Sequence, residues 1–198
     1  MEPMTFKVYL LELINAVPHE VYVLLLVVFC TGAVGLISVR GWSKGLRYAL
    51  GLLLTEYVFL LYASTVIFRK AAKVRSYDFT PFWSYSKPEL IQENIMNMVV
   101  FVPVGAIIGF MMNGLLGSRL ASSNERQGRG TIRHGWLIAL ATGLCISGSI
   151  EGMQFFLKRG FSEVDDVMHN TVGCILGYML VKGLWLMVKG FRQRRIAG

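Results

Sequence analysis

The sequence predicts an all-α membrane protein: a bundle of five transmembrane helices preceded by a short helix at the membrane interface. Three observations lead there. Apolar residues make up 54% of the 198 and charged residues only 16%, with a positive mean hydropathy; a soluble domain carries about 25% charged residues. Five windows, Val21 to Val39, Leu46 to Phe68, Asn94 to Gly117, Gly135 to Leu157 and Val167 to Val188, match the roughly 20 residues that cross a hydrocarbon core of about 30 Å. No stretch between them is long enough for a second domain, so residues 1–198 form a single membrane domain.

The elements follow in order. Residues 5–17 place Phe6, Tyr9, Leu10, Leu13, Ile14 and Val17 at helical spacing among Lys7, Glu12 and Asn15, and Pro18 closes the run; this predicts a short helix lying in the outer interface. Glu2, Glu12 and Glu20 stand where a cleavable signal peptide would carry bases, so the first span is expected to be retained. After the second span, "RKAAKVRSYDFTPFWSYSKPEL" mixes bases with aromatic rings that settle at headgroup depth, and this connection is expected to lie along the membrane surface. Ser86, followed three residues later by Glu89, has the pattern of a capping box that starts the third helix near Lys87. Pro103 removes a backbone donor inside that helix and is expected to kink it. Residues 117–134, polar, basic and rich in Gly and Ser, read as a flexible cytoplasmic loop.

Orientation rests on the bases. The first and third connections and the tail carry eleven Lys and Arg, whereas the other side carries eight over a longer stretch. This predicts a multi-pass protein of the bacterial plasma membrane with its N-terminus outside and its C-terminus in the cytoplasm. The net charge of +8 is explained by this bias and by anionic lipids, so no nucleic acid is expected as a partner. Cys30, Cys145 and Cys174 fall inside the spans without metal-ligand spacing and read as small apolar side chains. No resident metal and no cofactor is expected.

The polar residues within the spans carry the functional information, because an ionisable group in hydrocarbon costs several kcal/mol unless paired or hydrated. Asn94 and Asn97 share a face of the third helix; Glu151 and Gln154 share one in the fourth, with Lys158 beyond; Asp166 and Asn170 share one in the fifth, beside a stripe of Asp165 and His169. Arg69 ends the second helix. With alternating helix directions, all of these come to one leaflet, predicted to be the outer. Gly105/Gly109 and Gly173/Gly177 are G-x-x-x-G pairs that let helices approach closely. Asp165 or Asp166 is expected to cap the fifth helix. Glu56, near the middle of the second span, is either a functional group or a protonated carboxyl bonded across helices.

Together "ENIMNMVVFVPVGAIIGF" and "SGSIEGMQFFLKRGFSEVDDVMHNTVGCILGYML" resemble the VanZ-like family, with its N-x-x-N-x-x-x-F-x-P-x-G run, its E-x-x-Q with a nearby Arg, and its D-D-x-x-x-N-x-x-G-x-x-x-G ending. The resemblance spans about residues 55–182 and includes Arg69 and "PFWSY", Pro81 to Tyr85. It implies a cell-envelope protein linked to low-level resistance to the lipoglycopeptide teicoplanin. By position it implies a polar set of Arg69, Asn94, Asn97, Glu151, Gln154, Arg159, Asp165, Asp166 and Asn170.

Four readings of that set stand side by side. It could bind an amphiphile, either the lipoglycopeptide antibiotic or a lipid-linked cell-wall precursor, with Trp83 and Tyr85 beside membrane lipids. It could serve an enzyme acting on a lipid-linked substrate, with Asp165, Asp166 and Glu151 holding Mg²⁺; against this, no Ser or Cys nucleophile sits beside a base, and His169 is the only histidine in the set. Glu56 and Glu151 could relay protons in a small transporter. Arg69 or Arg159 could instead neutralise the acids for purely structural reasons.

Overall fold

Each of the five windows folds as a helix long and apolar enough to cross a membrane: His19–Arg40, Lys44–Ile67, Ile91–Met112, His134–Leu157 and Val164–Phe191. The computed structural model describes residues 6–113 and 125–197, and the predicted end of the third window at Gly117 lies outside them. In chain order the helices are α1 (Phe6–Asn15), α2 (His19–Arg40), α3 (Trp42–Tyr62), α4 (Ile91–Asn113), α5 (Glu125–Leu157) and α6 (Val164–Ala197). A π-helical turn, Ala63–Ile67, continues α3 to the end of its span.

The pairing of α4 with α6 organises the bundle. Lipid tails are as apolar as leucine, so helices in a membrane are held by close packing rather than by expulsion of water. Here the two G-x-x-x-G pairs interlock. A Cβ on Gly105 would fall 1.7 Å from the Cys174 carbonyl oxygen, one on Gly173 2.0 Å from that of Met98, and one on Gly177 2.0 Å from that of Val102. Each backbone thus occupies the space a side chain would need on the other. Helix α5 packs on α6 by making room for a side chain: a Cβ on Gly135 would fall 2.2 Å from the hydroxyl oxygen of Tyr178, which is fully buried. Around these contacts lies an apolar core of Leu61, Val66, Phe101, Val104, Ile108, Ala139, Ile150, Cys174 and Tyr178. Helix α2 packs against α3 and has no residue buried within the protein, as expected of a span surrounded by lipid.

Helix α4 runs through Pro103 as one helical segment, which a kinked helix also does. Pro103 leaves the Val99 carbonyl without its intrahelical donor; on the next residue the Tyr57 hydroxyl donates to the Val100 carbonyl at 2.7 Å, tying α3 to α4. Ser86 does not cap α4. It ends a 3₁₀ turn, Trp83–Ser86, and its hydroxyl donates to the Trp83 carbonyl at 2.6 Å. Lys87 takes the extended conformation favoured before a proline and stands as the N-cap of a second 3₁₀ turn, Pro88–Leu90, which leads into α4. Residues 125–134, expected in a loop, extend α5 as helix.

A two-stranded parallel ribbon was also not anticipated. Strand β1 (Ser76–Asp78) in the second connection pairs with β2 (Phe161–Glu163) in the fourth, in the register Ser76 to Phe161, Tyr77 to Ser162 and Asp78 to Glu163. The Ala72 amide also donates to the Lys158 carbonyl at 2.7 Å. The two connections at this end of the bundle are therefore joined into one collar. Gly160, at φ +111°, takes a conformation open to glycine at no steric cost and has the Arg69 guanidinium directly against it.

If α4 and α6 are held by backbone approach, Gly177→Ala lowers unfolding stability in detergent micelles by about 1–3 kcal/mol through overpacking. Gly183→Ala, where an added Cβ meets nothing within 4 Å, leaves it nearly unchanged. Equal effects of the two substitutions contradict the account.

Candidate functional site

Asn97, Glu151 and Asn170 each lie six residues inside the same end of their spans, counted from Ile91, Leu157 and Val164. At 1.5 Å per residue that is about 9 Å along each helix. Three helices thus bring polar side chains to one depth, and all three residues are buried within the protein. The α4–α6 contact sets their spacing: the Asn97 amide donates to Asp166 Oδ1 at 2.6 Å, linking the two helices about two turns of α6 before Gly173. Helix α5 joins through Asn170, whose amide donates to the Ser147 hydroxyl at 2.8 Å. Glu151 reaches the collar, its Oε2 accepting the Glu163 amide at 2.9 Å while the Ser162 hydroxyl donates to the Glu151 carbonyl at 3.1 Å.

The neighbouring acids Asp165 and Asp166 have different surroundings. Asp165 is fully buried. Its carboxylate accepts the Phe82 amide at 2.6 Å, the Ser84 amide at 3.0 Å and the Ser84 hydroxyl at 2.5 Å. The Asn94 amide donates to the same hydroxyl at 3.1 Å. The expected helix cap is therefore replaced by a tether: Asp165 stands in the first turn of α6, and the amides it accepts belong to the second connection. Phe82 is held at φ +65°, a cost that the charged hydrogen bonds offset. Both oxygens of Asp165 are thereby engaged by donors from the second connection. Among the described residues, no three His, Cys, Asp or Glu side chains come together as a metal site.

Gln154 and Arg159 serve the end of the second span. A helix leaves its last carbonyls without partners. Here the Gln154 amide donates to the Thr65 carbonyl at 3.2 Å, and the Arg159 guanidinium donates to those of Val66, at 2.9 Å, and Ile67. Arg159 is thus bonded to backbone oxygens at the end of the second span. Gln154 Oε1 is buried without a hydrogen-bond partner.

Sequence reasoning missed several members of the site. Ser84 lies inside the "PFWSY" run but is a residue type common in loops. Ser147 and Ser162 carry no charge to draw notice. Glu93, exposed in the first turn of α4 and four residues from Asn97, and Glu163, half-buried in β2, stand close enough to Asp166 for their charges to act on one another. Burial, followed by the charges of Asp166, Glu93, Asp165 and Asp78, pushes the Glu163 carboxyl up to about 8, toward its protonated form. The Tyr85 hydroxyl lies 2.8 Å from His169 Nε2. Glu56 is elsewhere: eleven residues from the end of its span, it lies about 16 Å along α3, buried, with Oε1 lacking a partner.

The comparison with family models returns VanZ/LLP1, matched over residues 48–187. The chain belongs to the VanZ/LLP1 family. No curated protein and no solved structure gave a match. The family region runs from the second turn of α3 to about two-thirds of the way along α6. It contains the whole polar set and both interlocked G-x-x-x-G pairs, and it excludes α1 and α2.

Replacing Asp165 by Asn removes the charge that orders the second connection. The expected cost is about 1.5–3 kcal/mol, the range for a hydrogen bond to a charged group, with faster hydrogen exchange at the Phe82 and Ser84 amides. Unchanged exchange at those amides contradicts the tether.

Proposed function

We propose that this VanZ/LLP1 protein is a binding protein of the bacterial plasma membrane that takes the headgroup of an amphiphile at the cluster of Asn97, Glu151, Gln154 and Asp166. In this reading the polar end and the N-terminus face outward and the C-terminus faces the cytoplasm, following the distribution of bases. The ligand is a lipoglycopeptide such as teicoplanin or the lipid-linked cell-wall precursor it targets, and binding underlies low-level resistance. Asp165 and Asn94, tied to Ser84, and Arg159, tied to the π turn, act as positioning residues. Arg69 stands at the rim against Gly160. Asn170 anchors α5 to α6 behind the cluster.

One observation carries this reading. Amide and carboxyl side chains from three helices meet at one depth just inside the span ends, and they retain hydrogen-bonding capacity: among the described residues, Gln154 Oε1 is buried with no partner. Buried polar groups are normally satisfied, so an unmet acceptor among amides and carboxyls favours a polar ligand. A set of amides and carboxyls suits a headgroup rich in hydroxyl and amide groups, and the exposed rings of Phe82 and Tyr85 offer apolar surface beside it.

A photo-crosslinkable lipid-linked precursor analogue tests the reading in membranes. Labelling of Asn97→Ala and Glu151→Gln is expected to fall about tenfold, as for the loss of one hydrogen bond of about 1.4 kcal/mol, with protein level unchanged. Labelling equal to that of the parent removes the proposal.

A further inference from the structure

The predicted orientation leaves one group of charges unexplained. Residues 69–75, "RKAAKVR", hold four bases and no acid, and they lie at the end of the bundle where positive-inside bias gives no reason for them. They begin two residues beyond the end of the second span at Ile67. Hydrogen bonds hold them against the turn that follows α5, the Ala72 amide donating to the Lys158 carbonyl at 2.7 Å and Lys158 Nζ to the Lys73 carbonyl at 3.5 Å. Lys70, Lys73 and Arg75 are exposed. Arg75 is fixed over the Phe155 ring at 5.3 Å from its centroid. The neighbouring span ends expose apolar side chains: Phe68 is 41% exposed and Phe156 71%.

From this two-tier arrangement we infer a binding site for an anionic membrane lipid, with Lys70, Lys73, Arg75 and Lys158 meeting its phosphate and Phe68 and Phe156 its acyl chains. The site is separate from the amphiphile cluster. Charge complementarity selects the occupant: clustered bases immediately beyond a span attract anionic headgroups, and aromatic surface at the span ends is where acyl chains lie. A zwitterionic lipid offers the same chains but no net charge. Lys158 is held at φ +59°, so the backbone fixes where its side chain leaves the turn. The hydrogen bonds to Lys158 also fix the backbone that carries Lys73, so the chain itself needs little ordering on binding.

Native mass spectrometry of the full chain tests this, with phosphatidylglycerol and phosphatidylcholine of identical acyl chains supplied in equal amounts. The parent is expected to retain phosphatidylglycerol preferentially. Each of Lys70→Gln, Lys73→Gln and Arg75→Gln is expected to lower the preference by up to about fivefold, and the triple variant to abolish it. Lys189→Gln, at the opposite end of α6, leaves it intact. If the triple variant does not fold, the three single variants decide. An unchanged ratio in all of them overturns the site, and so does complete displacement of the lipid by inorganic phosphate, which would make it a simple anion site.

Discussion

The backbone contact between α4 and α6 is the constraint from which the rest of the molecule follows. In lipid there is little hydrophobic gain from bringing two apolar helices together, so the gain must come from dispersion and from close polar contacts. Glycines on both helices provide it reciprocally, with Gly105 against Cys174 and Gly173 and Gly177 against Met98 and Val102. Once the axes are fixed this closely, Asn97 and Asp166 meet at hydrogen-bonding distance. Asn97, Asp166, Glu151 and Asn170 can then be buried at a tolerable cost, since each finds a hydrogen-bond partner on a neighbouring element rather than facing hydrocarbon.

Adjacent residues divide two tasks. Asp165, saturated by donors from residues 82 and 84, turns a surface connection into part of the folded unit, and Asn94 supports the same serine from α4. Gln154 and Arg159 do the equivalent for the π turn that ends the second span. With the periphery held in this way, Glu151 and Asp166 are presented near Glu93 and Glu163 in a setting where negative charges crowd. The saturated groups fix geometry; the crowded ones are where a ligand gains most. The collar joining β1 to β2 adds a further layer, because it places bases and aromatic rings at the span ends without disturbing the cluster beneath.

Much of this is legible in the sequence because a membrane limits the choices. Apolar length gives the five spans, alternation of direction brings the polar residues to one end, and spacing of three or four residues assigns Asn94 with Asn97 and Glu151 with Gln154 to common faces. The glycine pairs point to close packing, although which helix meets which is set only by tertiary contact. What sequence reasoning missed depends on contacts between distant segments. Residues 76–78 and 161–163 are too short for a strand pattern and pair only because the spans bring them together. Asp165 reads as a helix cap until the folded connection supplies stronger donors. Ser84 and Ser147 matter through their partners, which their own residue type does not announce. The shift from Ser86 to Lys87 as N-cap follows from the restriction that Pro88 places on the residue before it.

The central claim is that the polar residues of α4, α5 and α6 form one binding site for a headgroup. A structure of the full chain determined with a lipoglycopeptide or a lipid-linked cell-wall precursor bound tests it most directly. The account predicts the headgroup within hydrogen-bonding distance of Asn97, Glu151 or Gln154, with its apolar tail leaving toward lipid past Phe82 or Tyr85. A headgroup bound elsewhere, with the contacts of all three residues unchanged, would contradict it.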